Sequence, residues 1–404
     1  MINFSLQCEN TTKGVFLRFF YVRGKSRNRK KGKTQKQKVK MNEQERKNKM
    51  KKIVQKMVTV LIVFSMGVGL LAGCGSSAAD KENTLYIYNW SEYIPQEVYE
   101  MFEEETGIHV VESTFSSNEE MLAKLVAGGT GDYDLIVASN YVIPAMIEQG
   151  LIQEFDGASL ENFGNLSASS VGMEFDPENQ YSVPYMATIT LLAVNKAKCQ
   201  ELNVEINGLD DLLNPALENN LVVPDDCREV VDAALKAIGE DPDSTDEATV
   251  EKASDWLSQL APNVKLYDSD TPYTALATNE VAAGLVYNMD AAKAMQMNED
   301  IEIVDLAEGN EIAYDNFVLA SGSTKKDMAK QFIDFILRPD VYKICLEEYP
   351  CVCLNDKTLE MMDDEFLSNP ASNVSAEVLS RAHVTGDVGE AATYYDNVFS
   401  KMKN

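Results

Sequence analysis

A chain of 404 residues can hold one large or two medium globular domains, and 45% hydrophobic with 25% charged residues suits a protein with real cores. Its formal net charge of −28 is unevenly spread: residues 1–73 carry 18 Lys/Arg against 3 Asp/Glu, leaving 18 against 61 in the rest, a net of −43. That excess argues against nucleic acid as a partner, because phosphate binding needs a basic footprint. A cationic ligand fits it, although acidic surfaces also simply keep proteins soluble.

The run from Arg23 to Lys40 is nearly all Lys, Arg, Gln, Ser and Gly and lacks apolar periodicity, so residues 1–49 read as a disordered or non-native basic extension. A basic nucleic-acid arm is the functional alternative. Met50 (or Met41) reads as the initiator, because Lys51, Lys52 and Lys56 precede the apolar run Val58 to Ala72. A positive segment before a short apolar one is the pattern of a secretory signal, here 50–73, and is too short to span a membrane. It ends in Leu71-Ala72-Gly73-Cys74, which resembles the bacterial lipobox; Cys74 is then the lipidated N-terminal residue, and 74–83 form a tether that includes Gly75-Ser76-Ser77. Five cysteines follow (Cys199, Cys227, Cys345, Cys351 and Cys353), an odd number that cannot all pair within one chain. Cys351-Val352-Cys353 is too tight, with only two His in the chain, to support zinc, and no metal or cofactor is expected.

From Thr84 onwards short strands alternate with amphipathic helices. Leu85–Tyr88 reads as a strand, Pro95 opens a helix with Val98, Met101 and Phe102 inward, and Gly107 stops it. Ile108–Thr114 is a second strand, and Ser117 with Glu120 has the spacing of a capping box. Leu135–Ala138 is a buried strand, followed by a helix to Gln149 and a stop at Gly150. A second series runs through strands at Leu191–Val194 and Leu221–Val223, helices at Val230–Ile238 and near Ala253–Leu260, and the strand Leu285–Tyr287. A strand at Asn316–Ala320 and a helix at Lys325–Leu337 follow. This order implies α/β architecture in two lobes, each a mainly parallel sheet flanked by helices. Ligands in such sheets bind beyond the C-terminal ends of the strands.

The loops at those strand ends combine carboxylates with aromatic rings: Asn89-Trp90-Ser91-Glu92-Tyr93, Ser139-Asn140-Tyr141, Asp225-Asp226-Cys227-Arg228-Glu229 and Tyr287-Asn288-Met289-Asp290, with Tyr314-Asp315-Asn316 before the Phe317 strand and Tyr349-Pro350 after a helix. Such a set suits a methylene chain bearing ammonium groups. Carboxylates make charge-assisted hydrogen bonds to each ammonium, and aromatic faces cover the methylenes and attract the cation. Each piece also has a plain structural reading. A ring near a strand end can be packing, Asp226 and Glu229 can cap a helix, and Arg228 can pair with a neighbouring acid.

From Thr84 to the C-terminus the chain resembles the spermidine/putrescine-binding proteins of bacterial polyamine ABC transporters. The resemblance rests on Leu85-Tyr86-Ile87-Tyr88-Asn89-Trp90-Ser91-Glu92-Tyr93-Ile94-Pro95, Tyr133–Val137, Ser182–Tyr185, Asp225–Glu229, Leu337–Val341 and Asp387-Val388-Gly389, in that order. It implies a two-lobed periplasmic-binding-protein type II fold, with lobe 1 at 84–188 plus 314–356, lobe 2 at 189–313 plus 357–404, and ligand in the interlobe cleft. It also implies a polyamine ligand, a membrane permease as partner, a monomer, and a place outside the cell, lipid-anchored to the outer face of the cell membrane. The ligand-binding residues it implies are Trp90, Ser91, Glu92, Tyr93, Ser139, Tyr141, Asp226, Glu229, Tyr287, Asp315, Tyr349 and Thr385. Three positions depart from the family pattern: Tyr287 and Ala313 stand where the family has Trp, and Thr385 where Gln is common.

An extracellular hydrolase using Asp225 and Asp226 as acid and base is the competing function, but no G-x-S-x-G or H-E-x-x-H motif is present. A different organic amine in the same fold is the nearer rival. Asp241–Glu251 loosely resembles a calcium loop, broken by Pro242 and by Asp246 where Gly is required.

Overall fold

The computed structural model describes residues 82–404. The basic extension, the signal segment and Cys74 lie outside the described residues. The described residues belong to one compact unit.

Strands β1 (Thr84–Trp90), β2 (His109–Phe115) and β3 (Leu135–Ser139) pair in parallel in the order β2-β1-β3. Helix α1 (Gln96–Thr106) links the first two, with Val98, Tyr99 and Phe102 buried. Pro95 stands just before α1 in extended conformation, and Gly107 ends it at φ 74°, a left-handed turn that glycine adopts freely. Helix α2 (Asn118–Val126) starts where Ser117 accepts the Glu120 N–H. The Glu120 carboxylate reaches back to the Ser116 N–H, one residue before the cap itself. Helix α3 (Ile143–Glu148) and strand β4 (Ile152–Gln153) complete this part.

Strand β5 (Ser182–Asn195) is 14 residues long and almost wholly buried. Only its end, Leu191–Val194, is legible as a strand, because burial on both faces removes the apolar–polar alternation that marks one. After α4 (Lys196–Leu202) come β6 (Leu221–Val223), α5 (Cys227–Ala237), α6 (Glu247–Leu260), β7 (Val264–Tyr267), α7 (Pro272–Ala277), β8 (Ala283–Tyr287), α8 (Asn288–Met297) and β9 (Ile301–Val304). Strand β10 (Glu311–Ala320), helices α9 (Lys326–Ile336) and α10 (Pro339–Glu348), strand β11 (Val352–Cys353), three short helices (Asp356–Leu359, Asp364–Ser368, Ala376–Arg381), strand β12 (His383–Val384) and helix α11 (Ala392–Lys403) finish the chain.

The curled sheet runs β2-β1-β3-β10-β5-β8-β6-β7. Pairing is parallel within β2-β1-β3 and within β7-β6-β8, while β5 and β10 run antiparallel to their neighbours on this path. Residues 182–189 of β5 pair with β10, and 190–194 pair with β8, so one strand threads both halves of the sheet. The β5–β10 register shifts between Asp315 and Asn316, leaving Tyr185 unopposed beside Pro184. Proline has no N–H for a ladder, so a bulge is where a buried strand can hold it. One apolar core lies under Met121, Ile136, Ile143 and Met146 in the first half. Another gathers Leu221, Val230, Val231, Trp256 and Tyr395 in the second, where α11 packs on α5 and α6. Among the described residues no helix is long and apolar enough to cross a membrane.

Candidate functional site

The loops that follow the parallel strands of both halves surround a cavity with about 630 Å³ of empty space. Nine of the twelve expected residues line it: Trp90, Ser91, Tyr93, Ser139, Tyr141, Asp226, Glu229, Tyr287 and Asp315.

Asp315 sits at the bulge of β10, directly opposite Ser139 on β3. One carboxylate oxygen accepts from Tyr93 Oη at 2.6 Å and the other from Ser139 Oγ at 2.7 Å. Asn118 Nδ2 in turn donates to Ser139 Oγ at 3.0 Å and to Tyr141 Oη at 2.7 Å. Burial pushes the Asp315 carboxyl up to about 6, opposed by the Tyr93 and Ser139 hydrogen bonds. The result is a desolvated carboxylate, fixed by two hydroxyls, that still lacks a counter-charge. Glu92 turns the preceding loop at φ 52°, a left-handed conformation costly for a non-glycine residue and common where a loop is shaped for function.

A second acidic group lies at the start of α5. Asp226 caps that helix, accepting from the Arg228 N–H at 2.8 Å and the Glu229 N–H at 3.4 Å. It lines the cavity at the same time, so the capping and binding readings of this residue are compatible. Glu229 accepts from Thr190 Oγ1 at 2.5 Å, and burial followed by the Asp226 charge pushes it up to about 8. Glu119, on α2, is pushed up to about 7 by burial and by the same Asp226. Asp226 thus raises two carboxyls, Glu229 at the cavity wall and Glu119, on the other half of the sheet, outside the lining. Arg228 does not face this group as a free cation. It is buried against Asp232 at 3.3 Å and Asp243 at 2.7 Å, with its guanidinium over the Tyr141 and Tyr395 rings. Asp243 is bonded on its other side to His383, at 2.7 Å.

Glu92, Tyr349 and Thr385 do not line the cavity. Glu92 and Tyr349 lie beside it, around the Lys293 ammonium. Thr385 is buried; its N–H donates to the Ile312 carbonyl and its carbonyl accepts from Asn140 Nδ2, while its hydroxyl has no partner. The polar residues missed in the sequence are Ser116, Asn118, Thr188, Ser269 and Asp270. Ser116 and Asn118 follow β2, and Ser269 and Asp270 follow β7, so reading every strand end alike would have found those four. Thr188 belongs to the middle of β5 and had no such signal. Ala313 and Tyr287 both face the cavity, which leaves less aromatic area than two indoles would supply. Asp225 and Asp226 are not an acid–base pair: Asp225 is exposed and bonded to Lys403 Nζ at 2.5 Å, whereas Asp226 is buried. The described cysteines are free thiols, four of them buried and Cys353 half-buried.

The fold and this cleft suit a protein that binds a small solute. Residues 97–371 match the family described as bacterial extracellular solute-binding protein, and the chain belongs to that family. It is similar to the spermidine/putrescine-binding periplasmic protein of Escherichia coli K12, 35% identical over 339 residues, covering 84% of this chain and 97% of that one. The putrescine/cadaverine-binding protein of Pseudomonas aeruginosa is 31% identical, over 66% of this chain and 78% of its own length. Among solved structures, the spermidine/putrescine ABC transporter substrate-binding protein of Streptococcus pneumoniae superposes with a TM-score of 0.66 at 28% identity, covering 79% of this chain and 98% of that one. A lipoprotein of Treponema pallidum gives a TM-score of 0.70 at 25% identity, covering 79% and 99%.

Proposed function

We propose that this chain binds a polyamine outside the cell and delivers it to the permease of an ABC importer. The observation that carries the reading is Asp315, a buried carboxylate held by Tyr93 and Ser139 at the cavity wall with no cation of its own. Asp226 and Glu229 supply a second anionic position, and Trp90, Tyr141 and Tyr287 supply ring surface for the methylenes between charges. The twelve residues named above form the ligand site in this reading, with Glu92 and Tyr349 beside the cavity and Thr385 behind it. Residues 84–188 plus 314–356 and residues 189–313 plus 357–404 act as two lobes that close on the ligand, a clamp motion suited to strands crossing between them. The protein works as a monomer.

Calorimetric titration with spermidine, spermine, putrescine and cadaverine tests this. Binding is expected with at least one; an absence of heat with all four would remove the amine reading. A radius of gyration that stays unchanged on saturation would argue against closure.

Export and anchoring through Cys74 complete the proposal: the lipidated residue holds the domain at the outer face of the membrane on the tether that follows. A lipoprotein among the similar structures supports it. Cys74→Ala is expected to move the protein from the membrane fraction into the medium or periplasm. Retention in the membrane fraction by the variant would contradict the anchor.

A further inference from the structure

Lys293 stands on α8 with its ammonium 3.4 Å from Glu92 Oε2, 4.6 Å from the centre of the Tyr349 ring and 5.3 Å from that of Tyr273. A carboxylate below and aromatic faces around is the environment that a ligand ammonium would seek. The lysine side chain is 16% exposed and that of Glu92 36%, so the lysine is the more buried partner. Three residues earlier on the same helix, Asp290 is fully buried and neither of its carboxylate oxygens has a hydrogen-bond partner. Burial raises its pKa first, and the Lys293 charge opposes that, while Glu92, Asp268 and Asp270 add to it. Lys293 is thus the cation that this acidic group shares.

Two anionic positions line the cleft, Asp226 with Glu229 and Asp315 alone, and a third, Glu92, lies beside it next to Asp270, which does line it. The first two hold no ammonium of the protein. The third already does.

We infer that Lys293 is a specificity-determining residue, a tethered ammonium that fills the third position so that the cleft selects diamines over triamines. A diamine neutralises the two open positions and leaves Lys293 in place. A triamine must either displace the lysine from Glu92 and its two rings or hold its third ammonium near a like charge. Both routes weaken the longer ligand relative to the shorter. The inference rests on the amine-binding reading and adds the ligand class to it.

Titration of the purified protein and of Lys293→Met with putrescine and spermidine tests it. The parent should bind putrescine at least as tightly as spermidine. Lys293→Met should raise the spermidine-to-putrescine affinity ratio about tenfold or more, the value of one charge-assisted contact. Lys293→Gln should shift the ratio in the same direction, and Lys293→Arg should leave it near the parent's, with thermal melts confirming that each variant is folded. A ratio within about twofold of the parent's in both charge-removing variants would overturn the role of Lys293 and leave amine binding intact. A parent that prefers spermidine overturns it as well. A parent that binds no amine overturns both readings.

Discussion

Asp315→Asn should weaken polyamine binding by about 100-fold to 1,000-fold while making the free protein more stable. Asp315 is 3% exposed and both its oxygens already accept hydrogen bonds from Tyr93 and Ser139. A ligand ammonium reaching it would form a desolvated charge pair, and removing one partner of such a pair costs about 2–5 kcal/mol. In the free state the sign reverses. The folded carboxyl titrates at about 6, above its ordinary value of 3.8, so the folded protein holds this proton more tightly than the unfolded chain. Stability is therefore highest where the group is protonated in both states and declines as pH rises from about 4 through 6. The amide removes that decline and should add about 1–3 kcal/mol at pH 8, somewhat less than the full shift because one hydroxyl must turn to accept rather than donate. Urea melts of both proteins at pH 4 and pH 8, beside calorimetry with putrescine and spermidine, check the two signs together. Unchanged affinity in a folded Asp315→Asn variant would show that this carboxylate does not hold the ligand.

Affinity should also fall steeply as the medium acidifies. Glu229, Glu119 and Asp315 are raised to about 8, 7 and 6, in each case by burial first and, for the two glutamates, by the Asp226 charge next. In the free cleft these groups pick up protons as pH drops through that window. An alkylammonium ligand stays charged throughout, since its own pKa lies near that of lysine, at about 10. Binding must then expel protons from the carboxyls that face the cation, and each expelled proton costs up to about tenfold in affinity per pH unit. Because Glu229 and Glu119 both feel Asp226, they titrate as one group and not as independent sites. The expected result is a loss of about 100-fold or more between pH 8.5 and pH 5.5. Calorimetry in buffers of different ionisation enthalpy should show proton release near pH 7. An affinity that is flat across the range, with no protons released, would mean that the raised carboxyls do not contact the cation.

Much of this architecture is legible in the amino-acid order because its signals are local. Gly107 ends α1 as read, Ser117 caps α2, and Trp90, Tyr93, Ser139, Tyr141 and Asp226 reach the cavity from strand ends, while Asp315 reaches it from the bulge inside β10, a strand that begins five residues before the Asn316 start read from the sequence. The misses have a common cause. Strand β5 is buried on both faces and carries no alternation, so Thr188 in its middle went unread. Thr385, just after β12, is buried behind the cavity rather than lining it, a placement its position in the chain does not reveal. Lys293 looks like an ordinary helical lysine three residues after an aspartate. Nothing near it in sequence announces Glu92, 201 residues away.

What the sequence determined by itself is the chemistry available and the local elements that carry it: acids and rings at strand ends, a net negative domain, and an apolar segment ending in Cys74. Caps, turns and amphipathic periods are set by neighbours a few residues apart, and a reader of the chain can see them. Only the tertiary structure decided which charges remain uncompensated. Arg228 is spent on Asp232 and Asp243, Lys293 on Glu92, and Asp315 is left with two hydroxyls and no cation. Charge pairing in a poorly solvated interior depends on distances of a few ångströms between residues up to two hundred positions apart. Those distances are set by the way β5 and β10 join the two halves of the sheet.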